Sequence, residues 1–205
     1  MNLAVLDIST YEPVSLPEAK NFLGLHESFQ GDDSLINQFI AAAREQAENY
    51  CNRSFVQKKY RLAFGRYISS IKLPRAPLAK VDKVQYISSG NMVEYSEQNF
   101  SVNNMIEPPR LLLNLPVSAD NVFNAIQVDY YTGYRQATNL WDDPEQEPDP
   151  NAIPLPEMPE TVRTAILMIV RTMYDHRDDI VKGTIVFELP RSSRYLLNDY
   201  RIHEF

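Results

Sequence analysis

The chain has 205 residues, of which 44% are hydrophobic and 23% charged, as in an ordinary folded protein rather than a disordered one. Its 27 acids against 20 lysines and arginines, a formal net charge of −7, argue against a basic cleft that grips nucleic acid. No apolar run approaches the roughly 18 residues of a membrane-spanning helix, and the N-terminus lacks the basic region of a signal peptide. Cys51 is the single cysteine, so we expect core filling and a reducing cytoplasm.

The first predicted helix is short. Ser15-Leu16-Pro17-Glu18 has the spacing of a capping box, in which a serine hydroxyl and a glutamate three residues later satisfy each other's backbone amides. The helix is expected to run through Leu23 and to stop at Gly24, because glycine tolerates the left-handed conformation that ends many helices.

The second predicted helix, Asp33 to Cys51, is the element around which the chain is organised. Asp32 or Asp33 is expected to cap it, since a short carboxylate accepts the free amides of the first turn. Apolar residues recur on one stripe at Leu35, Ile36, Phe39, Ile40, Ala43, Ala47 and Tyr50. The opposite, polar face is predicted to carry Asn37, Gln38, Arg44, Glu45 and Glu48.

A third helix is predicted far downstream, from Pro159 to His176. Proline suits the first turn of a helix, where its missing amide hydrogen costs nothing. The stretch Leu167 to Val170 is apolar nearly all round, so the helix should be buried on more than one side. We therefore expect the two long helices to pack together, and we expect the residues between them in the chain to form an insertion into this helix pair.

Between Phe55 and Tyr134 the apolar residues alternate instead of following a helical period. Alternation around Leu62, Val84 and Val128 is typical of half-buried antiparallel strands. Weaker strand candidates are Phe100 to Val102 and Arg110 to Leu113. Prolines and the sequence Ser88-Ser89-Gly90-Asn91 mark the turns. This region predicts one small sheet of five or six short strands.

The segment from Gln136 to Met158 is rich in proline and acid. From 136 to 161 there is no lysine or arginine and seven acids occur, so the whole net charge lies here. Dense proline and like charges predict an exposed, extended and mobile loop, which serves either as a solvated linker or as an interaction arm that orders on a partner. We name this segment the acidic loop, and its candidate functional residues are Asp142, Asp143, Glu145, Glu147 and Asp149.

The C-terminal region follows the third helix. Asp175 to Gly183 is predicted to be a charged turn, and Thr184 to Leu189 a short strand. Ser192 or Ser193 is expected to cap a final helix of one or two turns that carries Tyr195, Leu196 and Leu197.

No motif of catalysis, metal binding or cofactor binding stands out. His26, His176 and His203 have no metal-ligand spacing, and there is no glycine-rich phosphate loop or nucleophile elbow. We therefore expect no catalytic, cofactor-binding or metal-binding residues. Tyrosine and arginine anchor protein interfaces, and they occur together near chain turns. This pattern favours a subunit contact over local packing for Tyr131, Tyr134, Arg135, Arg194, Tyr195, Tyr200 and Arg201.

These elements predict an α+β fold, in which a small helical bundle core of two long helices plus short ones carries an inserted antiparallel β-sheet. We expect a single domain over residues 1–205. The helical core would come from 14–54 and 159–200, the β insertion from 55–135, and the acidic loop from 136–158.

Six pieces of the sequence in the same order resemble one known family. They are PVSLPEAKNFL, DDSLINQFIAAAREQAENYCNRSF, LPRAPLAKVDKVQYISSG, VDYYTGY, MPETVRTAILMIVRTMYDHR and LLNDYR. Together they are similar to the head-tail connector (head-completion or adaptor) proteins of long-tailed bacteriophages and prophages, over about Pro13 to Arg201. The long acidic loop is a departure, because close relatives are often shorter there.

The resemblance implies a structural, non-enzymatic protein of the virion neck, assembled in the bacterial host cytoplasm. It would form a ring, typically of twelve subunits, which sits under the portal protein, completes the filled head and meets the next neck or tail-completion protein. Genomic DNA would pass through the channel of the ring as cargo and would not be bound tightly. No membrane partner is expected. The acidic loop would line this channel or reach a neighbouring ring.

Two other kinds of function fit the residues. A monomeric or dimeric ligand-binding or regulatory domain would hold a pocket in the β insertion, and its oligomeric state would distinguish it from a ring. An enzyme with a scattered site would need a concave pocket that contains carboxylates with perturbed pKa values.

Overall fold

A computed structural model describes residues 1–114, 119–136, 154–177 and 189–203 of the chain. Two compact units make up the protein. The β-rich unit comprises Met1–Thr10 and Val56–Glu157, and the helical unit comprises Tyr11–Phe55 and Met158–Phe205. The combination of helices with antiparallel sheets confirms the predicted α+β class. Whether the chain forms a single domain stays a prediction.

The helical unit contains the four α-helices of the described residues. They are α1 (Leu16–Leu23), α2 (Asp33–Cys51), α3 (Glu160–Asp175) and α4 (Arg191–Leu197), followed by a 3₁₀ turn at Asn198–Tyr200. The two long helices, α2 and α3, pack against each other as predicted. Their buried residues follow the helical period, with Ile36, Ile40 and Ala43 on α2 and Ala165, Ile166 and Ile169 on α3.

The ends of α1 confirm the sequence signals. Oγ of Ser15 accepts from the amide of Glu18, and the Glu18 carboxylate accepts from the amide of Ser15. Gly24 ends the helix with φ at +76°, in the left-handed region that glycine enters without steric cost.

Three local predictions about the helices are wrong. Asp32 precedes α2 but makes no side-chain cap, because its carboxylate accepts from Tyr174 and Arg177 instead. Arg44 and Glu48, predicted on the polar face of α2, are buried because they pair with each other. Helix α4 is preceded by Pro190 and has no side-chain cap from Ser192 or Ser193.

The β-rich unit has eight strands in its described residues. They are β1 (Asn2–Ile8), β2 (Lys58–Phe64), β3 (Ser70–Lys72), β4 (Leu78–Ser88), β5 (Asn91–Tyr95), β6 (Phe100–Asn103), β7 (Arg110–Leu113) and β8 (Ile126–Thr132). They form a five-stranded sheet in the order β1-β2-β8-β4-β5 and a three-stranded sheet in the order β3-β7-β6, and all the pairs are antiparallel.

The prediction of one sheet of five or six strands is therefore wrong in number and arrangement. Side chains from both sheets, such as Leu62, Val128, Ile71 and Leu111, form one hydrophobic cluster. Strand β1 was not predicted, because it is exposed along its whole length and so has no buried face to produce alternation. The weak strand candidates at Phe100 and Arg110 are confirmed as β6 and β7.

Candidate subunit interface

The helical unit has a shallow groove of about 690 Å³ where α2, α3 and α4 meet. Its lining residues are Tyr50, Met168, Arg191, Ser192, Arg194, Tyr195, Leu196 and Asn198. The apolar part is made by Tyr50, Met168 and Leu196, which are each half-buried. Arg191 and Arg194 add positive charge, and the described residues that line the groove include no acid. The groove therefore suits a ligand that is both apolar and negatively charged.

The C-terminal segment holds one side of the groove in place through contacts with the end of α2. The Cys51 thiol donates to the carbonyl of Leu197 at 3.5 Å, and the Cys51 carbonyl accepts from the amide of Ile202 at 2.9 Å. Nδ2 of Asn52 donates to the carbonyl of Ile202, and Nε of Arg53 donates to that of Tyr200. These contacts fix α4 on the bundle.

The sequence of α4 decides which residues face outward. Ser193 and Leu197, one helical turn apart, are buried against the bundle. Arg191, Arg194 and Tyr195 consequently point to solvent, and Tyr195 is 83% exposed. Arg194 is oriented by a hydrogen bond from its Nε to the carbonyl of Leu189 at 2.9 Å. A tyrosine presented in this way offers a large rigid contact surface to a partner.

Four of the seven predicted interface residues belong to this region. Arg194 and Tyr195 line the groove. The guanidinium of Arg201 lies 5.0 Å from the ring centre of Tyr50, a groove residue, and Tyr200 contributes its carbonyl to Arg53. Sequence reasoning missed Tyr50, Met168 and Arg191 as groove residues. The spacing of Arg191, Arg194 and Tyr195 on one helical face is the signal that could have found part of it.

The other three predicted interface residues are in the β-rich unit. Tyr131 is buried, with the ammonium of Lys59 at 5.0 Å from its ring centre. Tyr134 is buried, and its carbonyl accepts from Nε2 of Gln57. Arg135 is exposed and pairs with Glu157 at 3.5 Å. Of these three, only Arg135 has a side chain that a partner could reach, and the interface role of all seven stays a prediction.

The β-rich unit exposes apolar side chains of its own. Every residue of β1 is exposed, including Leu3, Val5, Leu6 and Ile8. Phe123, in the turn before β8, is 94% exposed. Clustered exposed apolar residues mark protein contact surfaces more often than isolated ones do. This unit therefore also offers surface for a partner.

The predicted acidic loop lies mainly outside the described residues. Asp142, Asp143, Glu145, Glu147 and Asp149 all fall within 137–153. The structure describes the base of the segment, where the amide of Arg135 donates to the carbonyl of Pro156 at 2.9 Å. The predicted strand at Thr184 to Leu189 lies outside the described residues except for its last residue.

The described ranges hold no group of three or more His, Cys, Asp or Glu side chains arranged to bind a metal ion. No helix in those ranges is long and apolar enough to cross a membrane.

Burial raises the pKa of the Cys51 thiol from 9.0 to about 12, although the positive charges of Arg53 and Arg201 act in the opposite direction. A thiol with so high a pKa is a poor nucleophile at neutral pH.

Comparison with solved structures identifies neck assemblies with the same fold. The chain aligns over its full length with a chain in the neck of an empty gene transfer agent (GTA) particle computed with C6 symmetry, with 17% identity, a TM-score of 0.70 and 97% of that chain covered. The whole chain also aligns with a chain in the virion of a native GTA particle and with a chain in the neck of a native GTA particle computed with C12 symmetry. Both are 16% identical and 97% covered, with TM-scores of 0.69 and 0.65.

A search of curated protein sequences gives no significant match. The sequence model of one family, described as phage gp6-like head-tail connector protein, matches residues 13–111. This match confirms the resemblance seen in the order of the motifs, and it assigns a structural rather than an enzymatic role. The chain is thus similar to the phage gp6-like head-tail connector family over residues 13–111, just under half of its length.

Proposed function

We propose that the protein is a ring-forming subunit of the phage neck, placed between the portal and the tail. The observation that carries this proposal is the match of residues 13–111 to the head-tail connector family. The ring would complete the filled head, and it would present one face to the portal protein and the other to the next neck or tail-completion protein.

The similar solved structures support a ring. Two of them are neck structures computed with C6 and C12 symmetry, and their chains share the fold over all of this chain. By analogy with the C12 particle, we propose twelve subunits per ring in the virion. Subunits of such a ring are joined head to tail, so one surface of each must fit a different surface of the next.

The surfaces of both units suit a protein that functions by burying surface between subunits. The helical unit exposes Tyr195 beside an apolar groove, and the β-rich unit exposes β1. Aromatic and aliphatic anchors of this kind supply most of the binding energy in protein interfaces. We expect neighbouring subunits, the portal or the tail-side protein to cover them.

The charge distribution suits a channel through which DNA slides. Outside residues 136–161 the acids and bases balance at twenty each. Tight binding of DNA requires clustered lysine and arginine, which neutralise phosphates and release counterions. A balanced or acidic ring would let DNA pass as cargo without holding it.

The first experiment is to determine the mass and shape of the purified protein. Light scattering after gel filtration and negative-stain imaging would be done on the protein alone and on the protein mixed with a portal complex. Rings in either sample are expected. A monomer or dimer that ignores the portal would contradict the proposal and would favour a ligand-binding domain. For that alternative, the groove in the helical unit is a place to search in addition to the predicted pocket in the β insertion.

A further inference from the structure

We propose that the groove between α2, α3 and α4 binds the acidic, proline-rich segment 136–158 of a second copy of this chain. The proposal rests on the proposed ring, because it names the contact that would join one subunit to the next. It places the acidic segment on a neighbouring subunit, instead of in the channel or on another ring.

The chemistry of the groove defines what can bind there. Tyr50, Met168 and Leu196 provide an apolar floor, with the exposed ring of Tyr195 beside it. Arg191 and Arg194 also line the groove and give it positive charge. An aromatic-lined groove accepts an extended proline-rich chain, because such a chain loses little conformational entropy on binding. The arginines add a requirement for carboxylates.

One segment of this sequence has both properties. It carries five acids between Asp142 and Asp149 and has no lysine or arginine. It also contains Leu140, Trp141 and prolines at 144, 148, 150, 154 and 156, residue types that carry apolar side chains or disfavour a regular helix. The charge of the segment is thus complementary to that of the groove, and complementary charge favours the correct partner and register.

The anchoring of the segment limits how far it can extend. The amide of Arg135 donates to the carbonyl of Pro156, so the two ends of the segment lie side by side. About ten residues on each side of the tip then allow a reach of at most about 33 Å. This is comparable with the width of a small domain, so the segment is long enough to extend beyond the unit that carries it.

A ring also explains why the occupant should be a second copy. In a head-to-tail contact, the two partners contribute different surfaces. The groove and the acidic segment are such a pair on one chain, and each subunit would give its segment to one neighbour and its groove to the other. The same contact repeats around the ring, so the ring closes with every groove occupied by a segment.

The first test measures binding of a fluorescent peptide with the sequence of residues 136–158. The protein is a full-length variant in which the five acids are changed to Asn or Gln, so that its own segment does not compete. We expect saturable binding that weakens with added salt. Binding should fall at least tenfold when Arg191→Glu and Arg194→Glu are added, or when the peptide carries the neutral residues. Equal binding in all these cases, or none at all, would overturn the proposal.

Matched variants separate this effect from misfolding. Tyr195→Ala should also weaken peptide binding without unfolding the protein, because the side chain is 83% exposed. Arg66→Glu with Arg110→Glu makes the same charge change on exposed residues of the β-rich unit and should leave binding unchanged. If these control substitutions weaken binding equally, the peptide responds to net charge rather than to the groove, and the proposal fails.

The second test identifies whose segment occupies the groove. A groove variant, with Arg191→Glu and Arg194→Glu, is mixed with the neutral-segment variant. Neither should form rings alone under conditions where the unmodified chain does. The mixture should form 1:1 pairs that do not grow, since only one of its two possible contacts is intact. If the peptide binds but no pairs form, the groove binds the segment of its own chain, and the second-copy proposal is wrong.

These outcomes are distinguishable from failure of the proposed function. If the unmodified chain forms no ring even with the portal complex, the ring is disproved, while the peptide titration still reports whether the groove binds the segment. If rings form and both variants assemble normally, the ring stands and the contact proposed here is disproved.

Discussion

Arg44 and Glu48 form a buried ion pair one turn apart on α2, in which Nη1 of Arg44 donates to Oε2 of Glu48 at 3.0 Å. Arg44 also donates to both carboxylate oxygens of Glu12, and Oε1 of Glu48 accepts from the amide of Phe55 at 2.7 Å. Burial alone would lower the pKa of Arg44, but the hydrogen bond with Glu12 and the charge of Glu48 raise it above its usual value. The cluster therefore joins the chain before α1 to both α2 and the residues that follow it.

Replacing Glu48 by alanine should strongly destabilise the helical unit. The change would leave the buried charge of Arg44 with less compensation and would deprive the Phe55 amide of its acceptor. Breaking a buried pair costs about 3–5 kcal/mol, so we expect a loss near 3 kcal/mol in the free energy of unfolding, measured with urea. Glu45→Ala is the control, because its carboxylate is 3.7 Å from Arg44 and largely exposed; it should cost under about 0.5 kcal/mol. Equal effects of the two substitutions would contradict this account.

Removing the hydroxyl of Tyr174 should loosen the attachment of α3 to the start of α2. Its oxygen donates to Oδ2 of Asp32 at 2.6 Å, and Arg177 pairs with the same oxygen at 3.2 Å. Tyr174→Phe is expected to cost about 1 kcal/mol, the usual contribution of one hydrogen bond. A double-mutant cycle with Asp32→Ala measures the coupling. Additive losses would show that the two residues do not interact, and Arg171→Ala, which breaks an exposed pair with Asp175, provides the baseline.

The extent to which sequence predicted this fold depends on whether each signal was local. The bounds of α2 and the capping box of α1 follow from neighbouring residues, and the structure reproduces them. Asp32 was misassigned because its partner Tyr174 lies 142 positions away in the chain, and Arg44 because it also pairs with Glu12, 32 positions away. Strand β1 gave no signal, since pairing with β2 leaves both its faces exposed.

The candidate interface shows the same limit. Residue type alone predicts Arg194 and Tyr195 as interface residues. It does not predict the groove, because the groove forms only where Tyr50 of α2, Met168 of α3 and Leu196 of α4 come together. Tyr50 is more than a hundred positions from the other two residues in the chain, and only a tertiary structure brings all three to one surface.

Replacing Gly133 by alanine should disrupt the β-rich unit. Gly133 has φ at +122°, and an added Cβ would lie 2.6 Å from the carbonyl oxygen of Val56 and 2.7 Å from Cα of Gln57. Backbone atoms cannot move aside as a flexible side chain does, so strain and overpacking together should cost about 3 kcal/mol or more. Gly90→Ala is the matched control, because φ is also positive but nothing lies within 4 Å; it should cost about 1 kcal/mol. Thermal unfolding of both variants checks the difference, and similar melting temperatures would contradict it.

The buried thiol of Cys51 should make the helical unit sensitive to alkaline pH. Its pKa is raised to about 12 in the folded protein from an ordinary 9.0, chiefly by burial. Above pH 9 the unfolded chain releases this proton while the folded chain keeps it, so the unfolded state binds fewer protons and unfolding becomes easier as pH rises. The contribution is fully present below about pH 9 and is lost as the pH approaches 12.

The measurement is the free energy of unfolding from pH 7 to pH 11 for the unmodified chain and for Cys51→Ala. The variant should be less stable at neutral pH, because it loses a buried sulfur, but its stability should fall less steeply above pH 9. The difference between the two curves isolates the thiol from Tyr130, whose pKa burial also raises. Parallel curves would show that Cys51 ionises alike in both states. An independent check is alkylation at pH 8, which should be slow in the folded protein and fast in denaturant, since only the unfolded chain supplies thiolate.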